Sequence, residues 1–162
     1  MRLLFMLYRL YQPDDFPALY ALEEQCFRPP WRFSLPYMRK IVGNPASATW
    51  IAQEGAELVG LVVVQWTDGQ GDQAAYIETI EVHPAWRGHG IGGELLRHAE
   101  VSACASGAQA IGLHVRVDNV AAIRLYEKYG YKCRGREEYY YAREPAFFYA
   151  KSLLSKKAFS VN

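Results

Sequence analysis

Two kinds of apolar pattern alternate along this chain, and their order predicts a mixed α/β domain. Some segments place apolar residues at helical spacing, as at Leu19, Leu22 and Cys26, whereas others are short continuous apolar runs typical of buried strands. Helices are predicted over residues 14–27, 34–42, 90–106 and 119–129. Strands are predicted over residues 7–10, 48–52, 58–66, 75–82, 110–117, 131–138 and 147–153.

The segments between these elements indicate how the strands connect. Residues 53–57 form a polar, glycine-containing turn, which predicts a hairpin with a longer loop, and residues 67–73 form a polar loop. In the middle of the chain one crossover helix connects two neighbouring strands, and the last two strands form a closing hairpin. We therefore expect a single domain over residues 1–154, antiparallel at first, followed by a short C-terminal tail over 155–162.

Composition and charge narrow the class of protein. A chain of 162 residues with 51% hydrophobic residues has enough apolar surface for one core. The net charge of +1 gives no electrostatic argument for nucleic acid or an anionic membrane as the main partner, and no apolar stretch approaches the roughly 18 residues of a spanning helix. Cys26, Cys104 and Cys133 are odd in number and widely spaced, which favours a reducing cytoplasm. Either Met1 or Met6 can be the native start.

A glycine-rich segment between a predicted strand and a predicted helix carries the strongest chemical signal. It reads Arg87-Gly88-His89-Gly90-Ile91-Gly92-Gly93. Glycines let the backbone approach a ligand closely, and the free N–H groups and dipole of the following helix favour an anion. An arginine adds a positive charge that does not titrate away. The segment therefore predicts a pyrophosphate-binding loop.

Two motifs fit these residues and predict different cofactors. Gly88, Gly90 and Gly93 satisfy G-x-G-x-x-G, the dinucleotide fingerprint, whereas Arg87, Gly90 and Gly92 satisfy R-x-x-G-x-G, which resembles the coenzyme A loop of the GNAT acetyltransferase superfamily. A dinucleotide domain carries its loop after the first strand and continues through a long series of strand–helix units. Here the loop begins past residue 85. The context therefore favours coenzyme A.

The chain is similar to GNAT acetyltransferases over nearly its whole length, and most similar to the branch that acetylates protein N-termini, including the ribosomal-protein (RimI-type) enzymes. Within 77–131 the motifs are V-H-P-A-W, R-G-H-G-I-G, L-H-V-R and D-N-V-A-A-I-R-L-Y-E-K-Y-G-Y, and residues 26–31 resemble the substrate loop of that branch. The resemblance implies the GNAT fold, in which about seven strands form a twisted, mostly antiparallel mixed sheet with about four helices. It also implies a splay between the fourth and fifth strands, and acetyl-CoA as acetyl donor without a metal.

The helix over 119–129 contributes the predicted general acid. Tyr126 lies in line with Ala122 and Tyr129 at helical spacing, so its ring is expected to face inward. By resemblance, Tyr126 protonates the departing coenzyme sulfur, and Asn119 both caps the helix and contacts the pantetheine arm. A core tyrosine and a plain helix cap are the alternatives.

The base is predicted on either of two strands. His114 lies between Leu113 and Val115 and points away from the face that those two residues use. Histidine can take a proton at neutral pH, directly or through water. The ribosomal enzymes usually carry glutamate at this position, whereas Leu-His-Val-Arg resembles archaeal and eukaryotic N-terminal acetyltransferases, which weakens the case for a ribosomal protein as substrate. A structural histidine remains the alternative.

Glu78 and Glu81 are the competing bases. They are three apart, so a regular strand would point them to opposite sides, but the irregular spacing of apolar residues around them suggests a β-bulge. One of them can hold the water that deprotonates the amine, or both can lie on a solvated face. By resemblance, the backbone groups of Ile80 and Val82 hydrogen-bond the pantetheine arm.

Aromatic residues in two places suggest the acceptor site. Phe27, Pro29 and Trp31 belong to a stiff aromatic loop, and Tyr139 and Tyr140 follow two glutamates between the last two strands. Tyrosines beside carboxylates suit a peptide that ends in a cationic amine, although a hairpin with aromatic cross-strand pairs shows the same pattern.

The sequence thus predicts an acetyl-CoA-dependent N-acetyltransferase in which a primary amine attacks the bound thioester directly. A protein or peptide N-terminal α-amine is the preferred acceptor, because it needs less help from a base than a lysine side chain does. A small-molecule amine as acceptor and a non-catalytic acyl-CoA sensor are the alternatives. The sequence leaves open the identity of the acceptor and whether the protein is a monomer or a dimer.

Overall fold

A computed structural model describes residues 5–67, 73–141 and 144–154, except for the side chains of residues 139–141. The predicted tail over 155–162 and most of the predicted loop over 67–73 lie outside these described residues. Four α-helices are present there: α1 (Phe16–Cys26), α2 (Leu35–Val42), α3 (Ile91–Ala105) and α4 (Val120–Lys128). The strands are β1 (Met6–Leu10), β2 (Ser47–Glu54), β3 (Glu57–Trp66), β4 (Ala74–Val82), β5 (Ala110–Arg116), β6 (Lys132–Tyr141) and β7 (Glu144–Ser152). The predicted number and order of elements are confirmed.

The seven strands form one sheet in the order β1-β2-β3-β4-β5-β7-β6. Every neighbouring pair is antiparallel except β4 and β5, which are parallel and joined through α3. That pair is short, because it runs only from Ala74 opposite Ala110 to Tyr76 opposite Gly112. Beyond these positions the two strands separate, as the predicted splay between the fourth and fifth strands requires.

The hairpin between β2 and β3 is tighter than the sequence predicted. Glu54 pairs with Glu57, so the turn consists only of Gly55 and Ala56 instead of residues 53–57. Gly55 has a φ of +60°, a left-handed conformation that a two-residue hairpin turn needs and that glycine adopts easily. The polar flanking residues therefore continue the strands, and the prediction of a longer loop was wrong.

The helices cover both faces of the sheet and enclose two apolar cores. α3 packs on one face through Leu95, Leu96 and Ala99, and the inward side of α4 joins the same core. α1 and α2 pack on the other face, where Leu19 and Met38 are fully buried. Ser34 Oγ accepts a hydrogen bond from the Tyr37 backbone N–H at 3.3 Å, which confirms the predicted cap of α2. Of the helices described, none is long and apolar enough to cross a membrane.

Candidate active site

A β-bulge in β4 aims two glutamates at the same side of the sheet. Val63 of β3 pairs with Thr79 and Val64 pairs with Ile77, so Glu78 is an extra residue on β4. As a result both glutamates face α1 and α2: Glu78 Oε2 accepts a hydrogen bond of 2.9 Å from Tyr37 of α2, and Glu81 lies against Glu23 of α1. The predicted bulge is confirmed.

A cleft of about 130 Å³ opens where β4 and β5 separate. Four parts of the chain line it: β4, β5, α4, and α1 together with the loop that follows it. The lining residues that the sequence had singled out are Phe27, Trp31, Glu78, Ile80, His114, Asn119 and Tyr126. Glu81 is buried behind this wall, and Pro29 is exposed on the loop, so neither lines the cleft. The Tyr139 and Tyr140 side chains lie outside the described residues.

Tyr126 reaches the cleft from the inward side of α4. The helix begins under the predicted cap, since Asn119 Oδ1 accepts a hydrogen bond of 3.2 Å from the Ala122 N–H. The Tyr126 side chain is 6% exposed, and its hydroxyl makes no hydrogen bond to another described residue. Burial raises the pKa of the Tyr126 phenol above its usual value, so the hydroxyl stays protonated at neutral pH. This arrangement suits a proton donor and excludes a phenolate base.

His114 is held from both ring nitrogens. Its Nδ1 lies 2.7 Å from the hydroxyl of Tyr76 on β4, and its Nε2 lies 3.0 Å from Oε1 of Glu137 on β6. The ring of Phe148 packs on it with centroids 5.0 Å apart. These contacts fix the ring at the wall of the cleft. Tyr76 was not among the predicted site residues, although it is the last β4 residue to pair with β5 before the strands separate.

Glu78 is tied into a hydrogen-bond network of its own. Besides the bond from Tyr37, its Oε1 accepts one from the side-chain amide of Gln65. Burial raises the pKa of the Glu78 carboxyl, and the Tyr37 hydrogen bond opposes that rise. Two hydrogen-bond partners hold the Glu78 carboxylate in place, as two partners hold the His114 ring, so either group meets an incoming amine only after it releases one partner.

The glycines of the 87–93 loop serve two different purposes. Gly88 and Gly90 have φ values of +81° and +80°, and a Cβ built on either one meets no other atom within 4 Å. These two glycines leave the backbone of the loop open to a ligand, and we call this open backbone surface the cradle. In contrast, a Cβ on Gly93 would lie 2.0 Å from the Tyr129 hydroxyl, and one on Gly92 would lie 3.0 Å from Leu125. The second pair of glycines therefore lets α3 pack closely on α4.

The cradle fits a pyrophosphate. α3 begins at Ile91 directly after Gly90, and no side chain caps its first turn, so its free N–H groups and positive dipole end face the loop. Arg87 Nε donates to the Val82 carbonyl at 3.1 Å, which anchors the guanidinium beside the end of β4. His89 Nδ1 lies 3.0 Å from the Trp86 carbonyl and braces the same turn. These residues can hold the coenzyme's phosphates.

Two hydrogen-bond donors without partners lie at the side of the cleft where the amine substrate is expected to bind. The Arg116 guanidinium lies over the Trp31 ring, 4.3 Å from its centroid. Within the described structure, Trp31 Nε1 and Arg116 Nε are buried and lack an acceptor. Buried donors normally find partners, so these two indicate a ligand oxygen or an ordered water. Trp31 was predicted as a substrate contact, whereas Arg116 was not among the predicted site residues, because its position over Trp31 arises only in the fold.

Comparisons with known proteins agree with this geometry. The model of the Acetyltransferase (GNAT) family matches residues 16–131. An acetyltransferase of Pectobacterium atrosepticum is 34% identical over 125 residues, which are 76% of this chain and 86% of that protein.

Solved structures show the same fold. The ribosomal-protein-S18-alanine N-acetyltransferase of Escherichia coli superposes with a TM-score of 0.81 at 22% identity, covering 97% of this chain and all of that one. Naa50 of Arabidopsis thaliana, in complex with the bisubstrate analogue CoA-Ac-MVNAL, gives a TM-score of 0.79 at 24% identity, covering 91% of this chain and 98% of that one. With the family match, the splayed sheet and the open glycine cradle, the chain belongs to the GNAT family of acetyltransferases and is an acyltransferase that uses acetyl-CoA.

Proposed function

We propose that this acetyltransferase modifies the α-amino group of a protein or peptide N-terminus. The observation that carries the proposal is the pair of unpartnered donors, Trp31 Nε1 and Arg116 Nε, in the same cleft as His114. An N-terminal α-amine always has a peptide carbonyl two bonds away, whereas a lysine ammonium ends a plain hydrocarbon chain. Donors beside the base therefore favour an amine that brings an acceptor oxygen with it. The peptide-containing bisubstrate analogue bound by the Arabidopsis protein supports this reading.

The residues of the cleft divide the proton transfers between them. Bound acetyl-CoA supplies the thioester whose acetyl carbon the amine attacks and whose sulfur leaves. His114 takes the proton of the amine at Nδ1, directly or through water, once the Tyr76 hydroxyl gives up its hydrogen bond to that nitrogen, while Glu137 holds Nε2 in place. Tyr126 keeps a proton on Oη at the cleft wall for the departing sulfur. Ile80, Val82 and Asn119 are proposed to position the pantetheine arm, and Arg87 with Gly88 and Gly90 the phosphates.

The proposal is tested with a peptide pool whose members have free N-termini that vary at the first two residues. N-blocked peptides that contain lysine, and a set of small amines, are included. After incubation with acetyl-CoA, mass spectrometry should find acetyl groups on α-amines alone. Acetylation of small amines only would show a small-molecule enzyme. Coenzyme binding without any acetylated product would show a sensor.

His114→Ala is expected to lower kcat/KM by about 100-fold or more and to leave the Kd of acetyl-CoA unchanged, because the proposed base is lost while the coenzyme site is not altered. Both quantities are measured with the best peptide from the pool. His98→Ala is the control: this histidine packs between Tyr8 and Trp50, away from the cleft, so its loss should leave kcat/KM unchanged. An unchanged kcat/KM in His114→Ala would transfer the role of base to Glu78, the β4 glutamate that lines the cleft.

The described part of the chain contains free thiols at Cys26, Cys104 and Cys133. They support a cytoplasmic location, which we retain as part of the proposal.

A further inference from the structure

Two glutamates from different elements meet in the interior beside the cleft. Glu23 of α1 is 1% exposed and Glu81 of β4 is 3% exposed. Glu23 lines the inner end of the cleft together with Phe33 and Thr79. Buried carboxyls are rare unless they are paired with a cation, but within the described residues neither glutamate forms a salt bridge.

Each carboxyl has one satisfied oxygen and one that lacks a donor. Glu23 Oε1 accepts a hydrogen bond of 2.9 Å from the Phe33 backbone N–H, and Glu81 Oε1 accepts one of 2.9 Å from the Thr79 hydroxyl. The Oε2 atoms of both residues are buried, and no donor in the described structure reaches them. α1 packs closely on β4 here, since the Cys26 thiol lies 3.6 Å from the Val82 carbonyl oxygen, and the Glu23 carboxyl is near enough to raise the pKa of Glu81, so a proton on either carboxyl can form a hydrogen bond between them.

The charged and titratable groups around the pair do not supply the hydrogen-bond donor that the two Oε2 atoms lack. Burial raises the pKa of the Glu81 carboxyl well above its usual value, and the neighbouring Glu23 raises it further, while the Thr79 hydrogen bond opposes the rise. From α1, the Cys26 thiol also faces Glu81, and burial followed by that carboxyl raises the pKa of the thiol to about 12. Arg87 is the cation nearest to Cys26, and it is bonded to the Val82 carbonyl. A proton shared between the carboxyls supplies the donor that these neighbouring groups do not.

We propose that Glu23 and Glu81 share one proton, and that this shared proton fastens the acceptor loop, residues 27–34, to β4. Glu23 lies in the last turn of α1, which ends at Cys26, and the loop returns to this glutamate at Phe33, whose N–H binds it. Phe27 and Trp31 of the cleft wall lie between these two anchor points. The pair is thus a positioning device for the acceptor side. Its effect on the acceptor rests on the proposed function, whereas the shared proton itself does not.

The pair makes stability depend on pH in a defined direction. Because the pKa of Glu81 is higher in the folded than in the unfolded state, its contribution is fully present below the ordinary glutamate range, near pH 4.5. The contribution is lost progressively as pH rises through the folded-state pKa. The wild-type protein should therefore lose stability from mildly acidic to alkaline pH.

The experiment compares the wild type with Glu81→Gln, Glu23→Gln and the control Glu57→Gln, in which an exposed glutamate of β3 is changed. In Glu81→Gln an amide N–H can bind Glu23 at every pH. We expect its Tm to exceed that of the wild type by about 3 °C at pH values above the folded-state pKa of Glu81, and its pH dependence to be flatter. The infrared carbonyl band of a protonated carboxylic acid should persist well above pH 4.5, the ordinary glutamate value, in the wild type and in Glu57→Gln, and should disappear in Glu81→Gln. Glu23→Gln, which keeps a hydrogen bond across the pair, should lose the band as well.

A second measurement tests the positioning role. The KM for the acceptor peptide is compared between the wild type and Glu81→Gln at each pH. The ratio of the two KM values should rise several-fold over the pH range in which the wild-type Tm falls below that of Glu81→Gln, while the Kd of acetyl-CoA stays the same in both. Absence of the infrared band together with parallel Tm profiles would overturn the shared proton. A band that is present with a constant KM ratio would overturn the role in acceptor positioning alone. If the protein acetylates no N-terminus, the infrared and Tm measurements still test the shared proton. The proposed function and the shared proton can therefore fail independently.

Discussion

Gly90→Val is expected to weaken acetyl-CoA binding by at least about 100-fold, or about 2.8 kcal/mol, while the protein remains folded. Gly90 has a φ of +80°, and a β-branched residue is strongly disfavoured in that conformation. The new side chain would also project into the open side of the cradle, where no protein atom lies within 4 Å. Isothermal titration calorimetry with acetyl-CoA measures the loss, and thermal unfolding measures the cost in stability.

The chain offers a matched control for backbone strain. Gly55 in the β2–β3 turn has a φ of +60° and, like Gly90, has nothing within 4 Å of a built Cβ. Both valine variants should lose about 1–2 kcal/mol of stability. Gly55→Val should bind acetyl-CoA as the wild type does, because Gly55 belongs neither to the 87–93 loop nor to the lining of the cleft. If Gly90→Val also keeps its affinity, the 87–93 loop is not the pyrophosphate site.

Tyr126→Phe is expected to lower kcat by about 100-fold or more and to change the Kd of acetyl-CoA by less than about twofold. The substitution removes one hydroxyl that lacks a partner among the described residues, so the fold should lose no hydrogen bond. Only the proton for the departing sulfur is lost. Single-turnover kinetics with a saturating peptide separate this step from product release.

Tyr131→Phe is the control for this experiment. Tyr131 is a second buried tyrosine whose ring centroid lies 6.1 Å from that of Tyr126, but it does not line the cleft. Its hydroxyl donates to Glu100 at 3.5 Å, and burial raises its pKa as well. We expect its removal to leave kcat unchanged. Equal losses in both variants would point to packing of the α4 region and would remove Tyr126 as the acid.

Features that depend on residues close together in the chain were predictable from the sequence. The cap of α4 by Asn119, the inward side of that helix with Tyr126, and the left-handed glycines at 88 and 90 each depend on neighbours within a few residues. The bulge at Glu78 was also readable, because the apolar spacing of β4 breaks there. The tight turn at Gly55 was missed because polar residues flank it, and polarity alone does not separate a loop from the exposed end of a hairpin.

Contacts between distant segments needed the fold. Tyr76 and His114 are 38 positions apart and meet only because β4 and β5 pair for three residues and then separate. In the same way, Glu23 meets Glu81 only because α1 packs across the bulged strand, and the sequence offered Glu81 simply as one of two possible bases.

The sequence by itself therefore determined the family, and it predicted the coenzyme loop and the helix that carries the proposed acid, since these follow from short motifs and local periodicity. The tertiary structure decided which side chains share the cleft, which buried donors there lack a hydrogen-bond acceptor, and which carboxyls are buried beside it. Hydrogen bonding and desolvation depend on what surrounds a group in space, and that surrounding is assembled from segments far apart in the chain.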